Sequence, residues 1–247
     1  MEAKSIILFL VIFLLVLIVL NYIMKDVNTL SSLTSAKTAQ TIEPADLAGD
    51  SGNTGNFTYS IWFFIDDWNY RYGEAKVLFG RMSTTQNKSP CPSVIINPLQ
   101  NNIEVSLSVY PSAEDLSDEA EEIVSEVASV VHTCQLANVP LQKWCNLLVS
   151  VYGRTMDLYL DGKMVRTCVM PGTAKIDANA PVYITPNGGF SGWTARFQYW
   201  AESSNPQKAW DVYKAGYGGS LLSSIFGKYT VKLSLMEGDT ESSSVEL

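Results

Sequence analysis

Few residues in this chain are suited to chemistry, and most of them stand apart. His132 is the single histidine, with no serine or cysteine at the spacing of a nucleophile–base motif, so it reads as a polar residue at a strand edge. The four cysteines, Cys91, Cys134, Cys145 and Cys168, form no C-x-x-C pair, which argues against zinc. No G-x-S-x-G occurs, and "GYGG" lacks the Lys-Ser/Thr of a phosphate loop. The exception is "DDWNYRYG", residues 66–73. Asp66, Asp67, Trp68, Asn69, Tyr70 and Tyr72 put aromatic faces beside carboxylates and an amide, the set that carbohydrate recognition needs. The competing reading is that these aromatics cap the end of a core. Two adjacent carboxylates without a spaced third ligand are a poor calcium site. No catalytic centre, metal or cofactor is expected.

Those loop residues need a scaffold, and the patterning makes it β. In "NFTYSIWFFID", Phe57, Tyr59, Ile61, Phe63 and Ile65 share one face at period two. "NNIEVSLSVYP" alternates as well, and "PVYITP", "ARFQYW" and "KYTVKLSL" are further candidate strands. Many short strands separated by turn residues predict an all-β sandwich. Within "CNLLVSVYGRTMDLYLDGKMVRT", turns at Gly153-Arg154 and Asp161-Gly162 define two hairpins. Both registers place Leu147, Val149, Val151, Met156, Leu158, Leu160, Val165 and Val169 on one face, and they set Asp157 opposite Arg166. Cys145 then points to the core and Cys168 away from it, so these two are not expected to bond. Any disulfide needs Cys134 or Cys91; four reduced thiols are the open alternative. The segment "SAEDLSDEAEEIVSEVAS", residues 112–129, is acidic and helix-prone. It reads as a solvated insertion, with a docking or calcium role as the alternative.

The chain has 247 residues, of which 47% are hydrophobic and 17% charged, enough to build a substantial core. The net charge of -8 leaves no basic patch for phosphates, so nucleic acid is excluded as a partner. Residues 6–20, "IILFLVIFLLVLIVL", carry no polar side-chain atom, and the run extends to Met24 with Asn21 as its interruption. As a helix, residues 6–24 would span roughly 28 Å, one bilayer core. The rival is a cleaved signal peptide, but Asn21, Tyr22 and Ile23 stand where a small-x-small site would be needed. Residues 1–24 are therefore expected to be a retained membrane anchor contacting lipid through residues 6–24. Lys4 and Lys25 flank the run and leave its orientation open. Residues 25–54, rich in Ser, Thr, Gly and Asn, read as a polar tether, followed by the sandwich at 55–217 and a C-terminal segment at 218–247.

The stretch "PLQKWCNLLVSVYGRTMDLYLDGKMVRTCVMPG" resembles the central meander of concanavalin A-like lectin/glucanase domains, the laminin-G-type jelly roll. The residues that carry the likeness are Trp144, Tyr159, Asp161, Gly162 and Lys163. "YSIWFFID" resembles the family's opening strand. The stretch from "GFSGW" to "YKAGYGG" resembles its last strand and a short helix ending in Tyr-x-x-Gly, here Tyr213 and Gly216. The hydrolases of that family carry Glu-x-Asp-x-x-Glu on one strand, and no such run occurs here, so the resemblance implies binding rather than catalysis. The layout further resembles membrane-anchored proteins of large nucleocytoplasmic DNA viruses, with Gly216 to Gly219 and Phe226 to Lys232 matching their C-terminal pattern. That likeness implies a minor capsid protein of the virion, held in the inner membrane and linking it to other capsid proteins of the shell.

Two functions follow as expectations. The first is a structural interaction protein. Leu148, Tyr159 and Met164 form an apolar row on the non-core face of the meander, which must meet another layer, either from the same chain or from a neighbour. Tyr229, Val231 and Leu233 alternate in a surplus strand able to pair with an exposed edge. The second is a membrane-anchored lectin that binds glycans through the 66–72 loop.

Overall fold

The computed structural model describes residues 12–16, 26, 28–47, 55–84, 89–110, 129–218, 232–237 and 240–246. The chain divides into two units, residues 27–217 and a second formed by 1–26 with 218–247. The first unit is an antiparallel β-sandwich. Its strands are β1 (Thr34–Ser35), β2 (Gln40–Ile42), β3 (Phe57–Asp67), β4 (Lys76–Met82), β5 (Pro90–Ile96) and β6 (Ile103–Val109). They continue with β7 (Val130–Leu136), β8 (Trp144–Tyr152), β9 (Thr155–Leu160), β10 (Lys163–Val169), β11 (Val182–Ile184) and β12 (Ser191–Trp200). One sheet runs β1-β12-β3-β8-β9-β10 and the other β2-β11-β4-β5-β6-β7. The core between them takes the inward residues of both sheets, including Phe57, Tyr59, Ile61, Phe63 and Ile65 of β3.

The expected meander is present, with one bulge that changes its consequences. β8 pairs with β9 in the predicted register, Val151 opposite Met156 and Leu147 opposite Leu160. β10 begins as predicted, Lys163 opposite Leu160 and Met164 opposite Tyr159. The register then shifts between Met164 and Arg166, so that Leu158 faces Arg166 and Met156 faces Cys168. An extra residue inverts the facing of everything beyond it. Val165 and Val169, expected in the core, are 45% and 68% exposed. Asp157 stands opposite Thr167 instead of Arg166, and the Thr167 hydroxyl donates to its Oδ1 at 2.6 Å. Cys168 turns toward the core and bonds Cys134 of β7, with 6.2 Å between Cα atoms. The disulfide thus joins an edge strand of each sheet. Cys145 and Cys91 are free and buried. Burial pushes the Cys145 thiol up to about 12, with Asp161 adding and Lys143 opposing, and burial raises Cys91 as well.

The tether expected over 25–54 is corrected across its described part. Residues 28–47 belong to the sandwich. β1 pairs with β12, β2 pairs with β11, and Ala36, Ile42 and Leu47 are buried. A short 3-10 helix, Pro44–Asp46, follows β2. The strands are too short to show a period, and Ser and Thr suit a sheet edge as well as a linker. Residues 12–16 are helical and exposed, and no helix among the described residues is long and apolar enough to cross a membrane. The rest of the run 6–24 and nearly all of the acidic segment 112–129 lie outside the described residues.

On the non-core face of the meander, the layer that meets the apolar row comes from the same chain. Leu148 and Tyr159 are buried with Trp200, Ala209 and Val212 beneath the helix Pro206–Lys214. That helix starts where the Asn205 side chain accepts from Lys208 N at 2.8 Å and Pro206 fills the first turn. Met164 alone of the row stays exposed, at 47%. Gly162 makes the close approach possible: at φ +74°, a Cβ on it would lie 2.9 Å from Tyr213 Cβ and 3.0 Å from Trp210 Cε3. In the second unit β13 (Lys232–Glu237) pairs with β14 (Thr240–Glu246), Leu233 opposite Val245. The surplus strand therefore has its partner in the next strand of the tail. Tyr229 and Val231 lie outside the described residues.

Two outcomes test this packing. Gly162→Ala should lower Tm more than Gly73→Ala, which shares a positive φ of +81° but has open space around it. Equal losses would mean that helix contact at Gly162 contributes nothing. Replacing Cys134 and Cys168 by serine should cost about 3–4 kcal/mol on the chain-entropy model, read from denaturant midpoints. Cys91 and Cys145 should stay unreactive to a thiol reagent until the protein unfolds.

Candidate functional site

The end of the sandwich where β3 finishes carries the strongest candidate. Beyond Asp67 the chain turns through Trp68 to Gly73. Asp67 Oδ1 accepts from Asn69 N at 2.9 Å, which fixes the turn. Trp68 is half-buried and packs against the core edge. Its ring also faces a cleft of about 490 Å³ lined by Trp68, Leu99, Gln100, Asn101, Asn102, Ala137, Asn138 and Leu141. Every lining residue is uncharged.

Two loops shape that cleft, and hydrogen bonds hold both. In the β5–β6 turn, Asn97 Oδ1 accepts from Leu99 N and Gln100 N, each at 3.0 Å. Asn97 Nδ2 donates to Glu104 Oε1 at 2.8 Å. In the β7–β8 loop, Val139 N donates to Asn101 O at 2.8 Å, and Asn101 Nδ2 returns a bond to Val139 O at 3.1 Å. Asn138 N donates to Asn102 Oδ1 at 3.2 Å, while Asn102 Nδ2 donates to Gln100 Oε1 at 2.8 Å. Gln142 N donates to Ile65 O, tying the loop to β3. Asn138 and Gln142 both have positive φ, 58° and 54°, so the backbone is committed to this shape. Among the described residues, the side-chain groups of this frame left without a partner are the Asn138 amide, Gln100 Nε2 and Asn101 Oδ1. Amides of that kind both donate to and accept from hydroxyls.

Trp68 is held from behind. Lys76 is 1% exposed, and its Nζ lies 4.9 Å from the centre of the Trp68 ring. Among the described residues no acceptor reaches that ammonium. Burial pulls it below the ordinary lysine value; the Arg71 guanidinium adds to the effect and the Glu74 carboxylate opposes it.

The other residues of the 66–72 loop do not join Trp68 in the cleft. Tyr70 donates its hydroxyl to Gly188 O at 3.2 Å, and Lys37 Nζ sits 4.6 Å over its ring. Arg71 donates from Nη1 to Asn187 O and Gly189 O at 2.6 and 3.1 Å and pairs with Glu74 at 2.7 Å. Tyr70 and Arg71 therefore pin the 187–189 turn. Asp66 and Asn69 are exposed, and Tyr72 is 59% exposed. Of the six predicted residues, Trp68 is the one that lines the cleft. The amides of 100–102 and 138 read in the sequence as turn residues, and nothing in their spacing marks them as a surface. Among the described residues no three His, Cys, Asp or Glu side chains gather as a metal site would require.

No protein-family model matches the chain, and a search of curated proteins finds no relative. Solved structures do resemble it. An HCR/D point mutant matches with a TM-score of 0.52 and 13% identity, over 76% of this chain and 46% of that one. The receptor binding domain of botulinum neurotoxin C/D mosaic serotype matches with a TM-score of 0.52 and 13% identity, over 76% of this chain and 45% of that one. The shared fold is a β-sandwich. At this identity the likeness extends to the fold alone, and the chain spans less than half the length of these two proteins.

Lys76 gives the site its own test. Its ammonium loses a proton more readily when folded, so the unfolded chain binds more protons at alkaline pH. Stability should then climb as pH rises from the lowered value toward that of ordinary lysine. Lys76→Met should abolish that climb and raise stability at neutral pH by about 1 kcal/mol or more, because a buried unpaired ammonium costs more than one cation–π contact returns. A fall in Tm with the alkaline climb intact would contradict this account of Lys76.

Proposed function

We propose that this chain is a membrane-anchored, non-enzymatic recognition protein whose sandwich binds a neutral glycan in the cleft beside Trp68. The observation that carries this reading is the cleft itself, with an aromatic ring held from behind, leftover amides on a hydrogen-bonded frame, and no charged side chain in its lining. Pyranose rings offer apolar faces to an indole and hydroxyls to amides, and a fixed frame lowers the entropic cost of binding. An uncharged lining disfavours anionic and cationic ligands, whose desolvation it would not offset. The apolar run 6–24 supports insertion in a bilayer.

A second reading places the protein in a virus particle. The resemblance of the layout to membrane-anchored proteins of large DNA viruses supports a minor capsid role, in which the sandwich links an inner membrane to shell proteins. The specific observation in its favour is the pair of edge strands β7 and β10, where Val130, Val131 and Val165 are 43%, 53% and 45% exposed. Edge strands of that kind accept a partner's strand.

Binding of the full chain, held in lipid nanodiscs, to an array of neutral glycans separates the two. The glycan reading expects at least one retained saccharide. Trp68→Ala should weaken it about tenfold or more, or ~1.4 kcal/mol, while Tyr72→Ala leaves it unchanged. An array with no retained saccharide, or one indifferent to Trp68→Ala, overturns the glycan reading and leaves the shell-protein reading.

A further inference from the structure

Three aromatic rings stand side by side on the outer face of the β3 sheet, outside the Trp68 cleft. Phe63 and Ile65 point into the core, so Phe64 between them points out. It lies opposite Trp193 of β12 on one side and Trp144 of β8 on the other. Directly opposed side chains share a face, so the three form one row across three strands. At the ordinary strand spacing that row spans roughly 10 Å. The ring centres of Phe64 and Trp144 are 5.8 Å apart, and Tyr217 stacks on Trp144 at 4.5 Å. Arg196, itself buried, donates to Gly216 O at 3.0 Å and holds the turn that carries Tyr217. Trp193 is 47% exposed and Tyr217 39%, while Phe64 and Trp144 are half-buried.

The row is small, its rim is polar, and it begins where the cleft ends. Ser35 lies opposite Trp193 at one side. Asp66 and Gln142 are exposed beyond Phe64, and Lys143 pairs with Asp161 at 3.0 Å beside Trp144. Leu33, two residues before Ser35, is the exposed aliphatic side chain next to Trp193. Even with Leu33, these rings expose on the order of 400 Å², given the ordinary size of aromatic side chains. A stable protein interface buries about 800 Å² per partner, so the row falls short of a folded partner's needs. Leu141 lines the cleft, and Trp144 follows three residues later, within about 11 Å of chain. Gln142 ties that stretch to the end of β3, donating from N to Ile65 O at 2.8 Å and from Nε2 to Asp66 O at 3.4 Å. Cleft and row are thus held in fixed relation at one end of the sandwich.

We propose that the row is a second subsite for the glycan of the Trp68 cleft, and that the ligand is a linear neutral polysaccharide rather than a short terminal sugar. The inference rests on the glycan reading of the cleft and adds chain length to it. Sugar units past the cleft lay their apolar faces on Trp193, Phe64 and Tyr217. Their hydroxyls meet Ser35, Asp66 and Gln142. The rings do not share a plane, since Phe64 and Trp144 are tilted by 48°, which suits a single twisted chain and not the flat face of a fibre. Stacking of Tyr217 on Trp144 holds both rings before the ligand arrives, which lowers the entropic cost of binding.

The test titrates the full chain in lipid nanodiscs with cellohexaose, maltohexaose and N-acetylchitohexaose, and with the disaccharide of each. At least one hexasaccharide should bind about tenfold or more tighter than its disaccharide. Trp193→Ala should remove most of that gain and leave the disaccharide unchanged, whereas Trp68→Ala weakens both. Tyr217→Ala should show the same pattern as Trp193→Ala. Equal affinity for the two lengths, or a hexasaccharide indifferent to Trp193→Ala, overturns the second subsite while Trp68→Ala still reports on the cleft. Failure of every probe to bind, or indifference to Trp68→Ala, overturns the cleft reading and this inference with it. With hexasaccharide affinity unchanged, a fall in Tm for Trp193→Ala as large as for a core aromatic assigns the row to packing within the chain. Conversion of a dimer into a monomer by the same variant assigns it to a second copy. Either result overturns the subsite.

Discussion

Strand β3 is the constraint on which the rest depends. It is hydrogen-bonded to β12 on one side and β8 on the other, and both of its faces are covered. Its inward side chains fill the core. Its outward ones are closed off from the second layer: Trp62 stacks on Tyr213 at 5.6 Å, and the Thr58 hydroxyl donates to Glu202 O at 2.8 Å. A strand buried on two faces tolerates no slip in register. Its two ends are therefore fixed with respect to one another, and with them the Asn28 end and the Trp68 end of the domain.

Around that strand, two devices close the sandwich. The helix Pro206–Lys214 covers Leu148 and Tyr159, removing an apolar row from solvent; truncating a buried leucine of this kind typically costs about 2–5 kcal/mol. The approach is close enough that Gly162, in a turn already needing positive φ at Asp161 and Gly162, has no room for a side chain. On the far side, Cys134–Cys168 joins the edge strands of the two sheets, where hydrogen bonding across the sandwich is impossible. Asp161 adds a local tie: Lys143 donates to its Oδ2 at 3.0 Å and Asn146 N to its Oδ1 at 2.9 Å.

Much of this was legible in the sequence, for reasons that differ by element. The β8–β9–β10 meander was readable because two turns, each with a glycine, bracket strict alternation. The bulge at Val165 was not, because Val165 and Arg166 suit either face of an edge strand, and a single added residue leaves no compositional trace. That one residue decided the exposure of Val169, the partner of Asp157 and the pairing of Cys168. The place of residues 28–47 in the sandwich is not legible, because two- and three-residue strands carry no period. Of the binding loop, the aromatic at 68 was legible as a candidate, but its neighbours in space come from loops more than 25 residues away, which no local pattern connects.

At the Trp68 end the sandwich carries an uncharged, amide-lined cleft. The central proposal is that recognition occurs there. Amide hydrogen exchange of the full chain, with and without the tightest-binding neutral saccharide, tests this most directly. The account predicts slowed exchange within residues 97–102 and 137–142, with the 206–214 helix and the edge strands unchanged. Slowing confined to β7, β10 or the helix, or no slowing at the cleft at saturating saccharide, would contradict it.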